Sequence, residues 1–380
     1  MRLSLASAAF VAAIVGFGGT LAIVIAAANA LGATQAETAS WVTVLCLALA
    51  VESAWLSWRF KMPIVTAWST PGLALIGAST GFTMPEGVGA FIIAALLLMA
   101  TGLFRPLTRF ISKIPGSVAS GMLAGIVVSF VIGAFKAVPV DPWLVLPLLL
   151  AFFVVRLVNP ALSVPAVLVG GGLLAYFTGR IGVMPAPELS TLTLTVPEFT
   201  LKALIGIAIP LYLVTMASQN LSGLAVLRTA GYEPPAGPLI SLTGFFSLLI
   251  APFNASTTCL AAISAAICLG PDVHPDREKR WPVGLFYAFY YLVFAIFGAS
   301  LVALFAVLPP SLMIVVAGLG VLGSLSNALT IALKDDSERM AAVIAFAVTA
   351  SGMSFGGIGS AFWGLVAGMA VLFLDRVKKS

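Results

Sequence analysis

Charge is what this sequence has least of. Asp, Glu, Lys and Arg together make up 9% of its 380 residues, against about 25% in ordinary soluble domains. Hydrophobic residues supply 61%, so the chain reads as a polytopic membrane protein with no room for a soluble domain. Histidine occurs once, at His274, in the charged loop GPDVHPDREKRWP (Gly270–Pro282). One loop histidine excludes a histidine-rich metal centre and a nucleophile–histidine pair within a span. Paired carboxylates are missing too, so nothing points to an enzyme, a metal or another cofactor. Cys46, Cys259 and Cys268 lie inside apolar runs and read as small hydrophobes, which excludes a disulfide framework. The net charge of +5 is explained by membrane topology, so the implied partner is the lipid bilayer and not nucleic acid.

What the sequence does have is apolar length. A span needs about 20 residues, and the N-terminal apolar run exceeds the core of a signal peptide, so it reads as the first span. Fourteen spans are expected: Ala8–Leu31, Ser40–Trp58, Pro63–Gly81, Val88–Phe104, Gly116–Phe135, Trp143–Leu157, Ala161–Thr178, Leu201–Val226, Ala236–Leu249, Leu249–Gly270, Val283–Val307, Ser311–Leu333, Met340–Ser351 and Gly359–Leu374. With both termini cytoplasmic, every Lys and Arg except Lys136, Arg180 and Lys202 falls on the inner side, the bias expected of such proteins. The stretch Ile181–Thr200 is the central linker, and its TLTLTV alternation predicts a short strand.

Two spans cannot be ordinary helices. In the third, Pro63, Thr66, Ser69, Thr70 and Pro71 interrupt the apolar run; in the tenth, Pro252, Asn254, Ser256, Thr257 and Thr258 do so. A helix through Pro252 would lose a hydrogen bond and clash with the preceding turn. We therefore expect an extended piece over Ala251–Ala255 and a half-helix from about Ser256. Pro71 suits the first turn of a half-helix in the third span. Pro63 and Pro252 are 189 positions apart in a chain of 380. A second pair, IPGSVASGMLAGI from Ile114 and LPPSLMIVVAGLGV from Leu308, lies at a similar offset. The expected organisation is two inverted seven-span repeats, residues 1–180 and 201–380, joined by the linker 181–200. Matching discontinuous helices are where transporters place their substrate.

Half-helix N-termini carry partial positive charge, and together two of them could hold one anion without a buried Lys or Arg. Candidate side chains are Ser69 and Thr70 from the third span, Ser218, Gln219 and Asn220 from the eighth, and Asn254, Ser256 and Thr257 from the tenth. Phe17, Trp68, Tyr212 and Phe253 are candidate walls for a ring. Single serines and threonines are as often packing residues as ligands, whereas a buried amide needs several partners. Glu52 is the one acid well within a span, which makes it a proton-coupling candidate. Its bland alternative is a pair with Arg59 near the cytoplasmic end, away from the interrupted spans. His274 and the charges around it read most simply as a solvated connection.

The segments TAWSTPGLAL (Thr66–Leu75), LVTMASQNLSGLAVLRTAGYEPP (Leu213–Pro235) and APFNASTTCLAAISAAICLGPDVHPDREKRW (Ala251–Trp281) resemble the benzoate transporter (BenE) family, and the similarity runs the length of the chain. That resemblance implies a benzoate:proton symporter of the bacterial inner membrane, related to the uracil/anion transporters with their seven-plus-seven inverted-repeat fold. It also implies a core of spans 1–4 and 8–11 and a gate of spans 5–7 and 12–14. Nucleobase permeases of that fold carry a carboxylate in the eighth span. Gln219 stands at the similar position here, which favours an aromatic carboxylate over a nucleobase. A nucleobase or other anion permease, and an uncoupled anion channel, remain the rivals; a homodimer is left open.

Overall fold

The computed structural model describes residues 3–104, 115–355 and 358–379. Arg2, Arg105, Arg109, Lys113 and Ile114, and the side chains of Arg376, Lys378 and Lys379, lie outside the described residues. The chain is a helical membrane protein. Its first half runs α1 (Leu3–Ala30), α2 (Gln35–Phe60), β1 (Thr66–Trp68), α3 (Thr70–Gly77), α4 (Met84–Leu103), α5 (Gly116–Lys136), α6 (Pro142–Val158) and α7 (Ser163–Phe177). The second runs α8 (Leu201–Thr229), α9 (Ala236–Ile250), β2 (Thr258–Leu260), α10 (Ile263–Leu269), α11 (Val283–Ile296), α12 (Gly298–Ala306), α13 (Pro310–Gly320), α14 (Leu322–Ala332), α15 (Arg339–Ala350) and α16 (Ser360–Lys379). Among the described residues seven helices are long and apolar enough to cross a membrane, with α9 taken on to Phe253 and α13 and α14 taken together as Pro310–Ala332, or eight if α11 and α12, bent by 61° at Phe297, count as one.

Local chemistry sets the boundaries. Thr34 and Glu37 form a capping box at the start of α2, and Thr83 and Glu86 form one at the start of α4; in each, two otherwise orphaned N–H groups are satisfied. Helix α2 ends on Lys61 in the left-handed region, and Pro63 follows. The chain then stays extended through β1, which pairs antiparallel with β2 in the register Thr66–Leu260, Ala67–Cys259 and Trp68–Thr258. Helix α3 starts immediately after β1, with Ser69 as its cap and Pro71 in its first turn.

The second interruption differs from the expected one. Ala251–Phe253 is a 3-10 turn, not extended backbone, and Asn254 stops it in the left-handed region at φ 77°. The half-helix begins at Ile263 and not near Ser256. The reason is pairing: Thr258–Leu260 is held extended by β1, so helix can resume only beyond it. The TLTLTV strand does not form either, and residues 183–200 have no regular structure. No neighbouring strand is offered to this segment. Its N–H groups go singly to other partners, Thr193 to Ser40 Oγ, Thr195 to the Pro252 carbonyl and Glu198 to the Pro85 carbonyl.

Packing sorts the helices into two sets. In one, α1 packs on α3, α10 and α11, α2 on α11 and α12, and α4 on α9; in the other, α5 packs on α13, α14 and α15, α15 on α16, and α6 on α7. The sets meet where α1 lies against α7 and α13. Glycine permits the closest approaches. A methyl group at Gly102 or Gly237 would strike the facing backbone of α9 or α4, and one at Gly121 or Gly125 would strike α15. Outward faces are apolar, with Trp143 and Leu157 each 88% exposed, as lipid contact requires.

Candidate functional site

A cavity of about 170 Å³ lies between the two sets. That is below the roughly 300–1,000 Å³ of pockets for drug-sized ligands, a scale suited to a one-ring solute. From the first set it is lined by Gly16 and Thr20 of α1, Trp68 of β1, Thr70 of α3, Gln219 of α8 and Ser264 of α10. The second set contributes Phe152 and Arg156 of α6, Ser163 of α7, Gly320 of α13 and Ser324 of α14.

The first interruption faces this cavity. Ser69 Oγ accepts the Gly72 N–H at 3.2 Å and the Thr215 hydroxyl at 2.8 Å, so it fixes the start of α3 and leaves Thr70 at the cavity wall. Thr70 Oγ1 lies 3.4 Å from Thr20 Oγ1. Trp68 is buried beside Thr70 in that wall, with its ring 5.6 Å from Phe17 and 6.2 Å from Tyr291. Gln219 comes from Thr215–Asn220, a π-helical stretch of α8. Such widened turns concentrate at functional sites. The lining includes no Asp or Glu among the described residues, and its single cation is Arg156. The exposed Arg156 guanidinium sits 5.9 Å from the Phe152 ring centroid, and no ion pair among the described residues neutralises it.

Of the residues singled out from sequence, the structure brings Trp68, Thr70 and Gln219 to the cavity. Ser69 and Thr257 sit one layer behind it, joined through Thr215, whose Oγ1 is 3.2 Å from Thr257 Oγ1. Asn220 is buried and accepts the Leu260 N–H at 3.0 Å, tying α8 to β2. Ser218 bonds back to the Val214 carbonyl within its own helix. Phe17 backs Trp68 but does not line the cavity, and Tyr212 is bonded to Thr101 of α4. Asn254 is directed to the linker instead: its amide donates to Thr193 O at 3.1 Å and Thr193 Oγ1 at 3.0 Å. Phe253 is held there too, its carbonyl accepting from Ser40 Oγ. Ser256 is buried, and its hydroxyl has no partner among the described residues.

Glu52 departs from its alternative reading. It is fully buried, and its Oε1 accepts the Thr258 hydroxyl of β2 at 2.6 Å. It does not pair with Arg59, whose guanidinium lies over Phe60, and it is not away from the second interruption. His274 stays in its loop, where its Nδ1 accepts the Asp276 N–H; Arg280 ties that loop together by donating to the carbonyls of Leu269 and His274. Sequence reasoning missed Thr20, Thr215, Ser264, Ser163, Ser324 and Arg156. Thr20 gave a signal, the one hydroxyl residue of α1 beyond Ser7. Arg156 gave one only as a cation at a span end.

A family model described as "Benzoate membrane transport protein" matches residues 1–374. The chain belongs to the benzoate membrane transport protein family. Among curated members of that family's sequence neighbourhood, the inner membrane protein YdcO of Escherichia coli K12 is 39% identical over 365 residues, covering 95% of this chain and 93% of the relative. The benzoate membrane transport protein of Acinetobacter baylyi is 34% identical over 374 residues, covering 98% and 95%. As a member of this family the chain is a membrane transporter and not an enzyme. Its fold is like that of the transmembrane domain of the cyanobacterial bicarbonate transporter BicA, with a TM-score of 0.62 at 16% identity over 99% of this chain and 98% of that one. It is also like SLC26A9, with a TM-score of 0.64 at 14% identity over 97% of this chain and 65% of that one.

Proposed function

We propose that this benzoate transporter family member imports benzoate, or a similar small aromatic carboxylate, across the bacterial inner membrane together with a proton. The observation that carries the reading is the cavity's composition. It combines the start of α3 at Thr70, the Gln219 amide, hydroxyls from several helices and one arginine, with no carboxylate in the lining. An anion would meet hydrogen-bond donors and a favourable potential there. Trp68 and Phe152 offer the ring an aromatic surface. A nucleobase would want an acceptor for its ring N–H groups, and Gln219 in place of an acid disfavours it.

In this reading the chain crosses the membrane fourteen times. The seven long helices, the bent α11–α12 pair, the four shorter apolar helices and the two strand–helix units β1–α3 and β2–α10 make up that number. The set containing α1–α4 and α8–α12 serves as core and the set containing α5–α7 and α13–α16 as gate, in two inverted repeats. Movement of one set against the other would expose the cavity to either side in turn. In the orientation that the basic residues favour, the mouth beside Arg156 faces the cytoplasm.

The test is the initial rate of labelled benzoate uptake into proteoliposomes with and without an inward proton gradient, after subtraction of protein-free vesicles because benzoic acid itself crosses lipid. Accumulation that collapses with a protonophore, and competition by benzoate but not by uracil or bicarbonate, is expected. Gradient-independent equilibration would favour a channel or facilitator. Competition by uracil or bicarbonate alone would replace the substrate.

A further inference from the structure

Glu52 is the only acidic residue of α2 beyond its first turn, and the helices and strands packed around it neutralise none of its charge. Among the described residues, α1, α9, α11, α12, β1 and β2 contain no Asp, Glu, Lys, Arg or His. The titratable groups facing this region are the Cys259 thiol of β2 and the Tyr287 hydroxyl of α11. Both already donate to backbone carbonyls, Cys259 to Ala67 and Tyr287 to Thr66. The nearest hydroxyls on β1 and α2, Thr66 and Ser53, bond to each other at 3.1 Å. Glu52 Oε1 accepts from Thr258 Oγ1, the Thr66 hydroxyl of β1 is close by, and Oε2 has no hydrogen-bond partner among the described residues. An ionised carboxylate in such surroundings costs several kcal/mol.

The hydrogen count around Thr258 makes the site reversible. Thr258 Oγ1 lies 2.6 Å from Glu52 Oε1 and 3.1 Å from the Thr243 carbonyl. It has one proton for two acceptors. Ser247, whose Oγ lies 3.2 Å from Thr258 Oγ1, also donates to the Thr243 carbonyl and accepts the Thr258 N–H. With Glu52 ionised, Thr258 donates to the carboxylate. With Glu52 protonated, its O–H donates to Thr258 Oγ1, and the Thr258 proton turns to the Thr243 carbonyl. The same heavy atoms accommodate both states, so the hydrogen bonds adjust to the gain or loss of a proton on Glu52 by rotation of one hydroxyl.

The location ties this group to the solute. Thr258 is the register partner of Trp68 across the β1–β2 pair, and Trp68 lines the cavity. A negative charge on Glu52 thus lies one strand behind the place where a carboxylate would bind, in surroundings that screen it poorly.

Resting on the reading of proton-coupled carboxylate import, we propose that Glu52 is the proton-carrying group of this transporter. A proton from external water forms the O–H bond on the carboxylate, which removes the repulsion and admits the anion. After the core has moved, that O–H bond breaks, the proton passes to cytoplasmic water, and the restored charge expels the anion. Coupling of this kind is reciprocal: bound anion also strengthens proton binding.

The experiment compares wild type, Glu52→Gln and Glu52→Asp in proteoliposomes, with infrared spectra of the same samples across a pH step. With an inward gradient of one pH unit, one proton per anion sustains up to about tenfold accumulation. Glu52→Gln should reduce the protein-dependent accumulation to unity and flatten the pH dependence of benzoate affinity while benzoate–benzoate exchange persists. Glu52→Asp, which keeps a carboxyl, should restore uphill uptake at least in part. In the spectra, a protonated-carboxyl band that titrates in wild type should vanish in Glu52→Gln. Wild-type accumulation by Glu52→Gln, or an unchanged titrating band, would overturn the proposal. Failure of wild type to move benzoate would sink the substrate reading alone, because the infrared band tests Glu52 without any substrate.

Discussion

The two strand–helix units, β1–α3 and β2–α10, do opposite things with the same kinds of residue. In the first, Trp68 and Thr70 face the cavity, while Ser69 caps the helix and Thr66 bonds to Ser53. In the second, three polar side chains turn away: Asn254 to the linker, Thr257 to Thr215, Thr258 to Glu52. The second unit reaches the cavity mainly through Ala261, Ala262, Ile263 and Ser264. It is the richer of the two in polar side chains and the poorer in candidate ligands. Polar residues in an interrupted helix can serve the interruption itself, because backbone that leaves helical form in an apolar setting needs substitutes for its lost hydrogen bonds.

That contrast can be broken by substitution, and the largest effect is expected at Gln219. Gln219→Glu places an acid in a lining that has none, and benzoate affinity measured by calorimetry on purified protein should fall about a hundredfold or more, ~2.7 kcal/mol. An unchanged affinity would remove α8 from the site. Thr70→Val deletes a hydroxyl at the α3 start at constant volume; about a tenfold weaker Kd, ~1.4 kcal/mol, is expected. Arg156→Gln should raise KM for uptake severalfold and flatten its dependence on salt, since an exposed cation at the mouth acts at screened range. The smallest binding effect belongs to the second unit. Asn254→Ala should leave Kd within about twofold while lowering stability by about 1–3 kcal/mol through the lost linker bonds, read as an earlier thermal unfolding in detergent. If Asn254→Ala weakens binding as much as Thr70→Val does, the contrast between the units is wrong.

How far sequence reaches follows the same line. The helix ends near Pro63 and Pro252 and the place of Pro71 in the first turn of α3 were legible because proline acts on its own backbone. The start of α10 was not. Whether Ser256–Ala262 coils or extends depends on β1, some 190 positions away in the chain. The TLTLTV segment had the alternation of a strand but no strand beside it. Glu52 was noticed for its depth, yet its partner Thr258 is 206 positions distant and left no local trace. Of the cavity, Trp68, Thr70 and Gln219 were readable as polar or aromatic islands in apolar runs. Arg156 and Ser324 were not, because what places them there is the meeting of two helix sets.

The β1–β2 pair also bears on how the protein is made. Among the described residues its two strands of three residues pair with no other strand, and about half of the chain separates them. While the first half emerges into the bilayer, the polar backbone of β1 must wait for Thr258–Leu260 to be synthesised and inserted. A chain cut short before that point carries exposed N–H and C=O groups in an apolar setting, a state that quality-control proteases can distinguish from the finished transporter. The pairing of β1 thus reports that the chain has been made at least as far as Leu260.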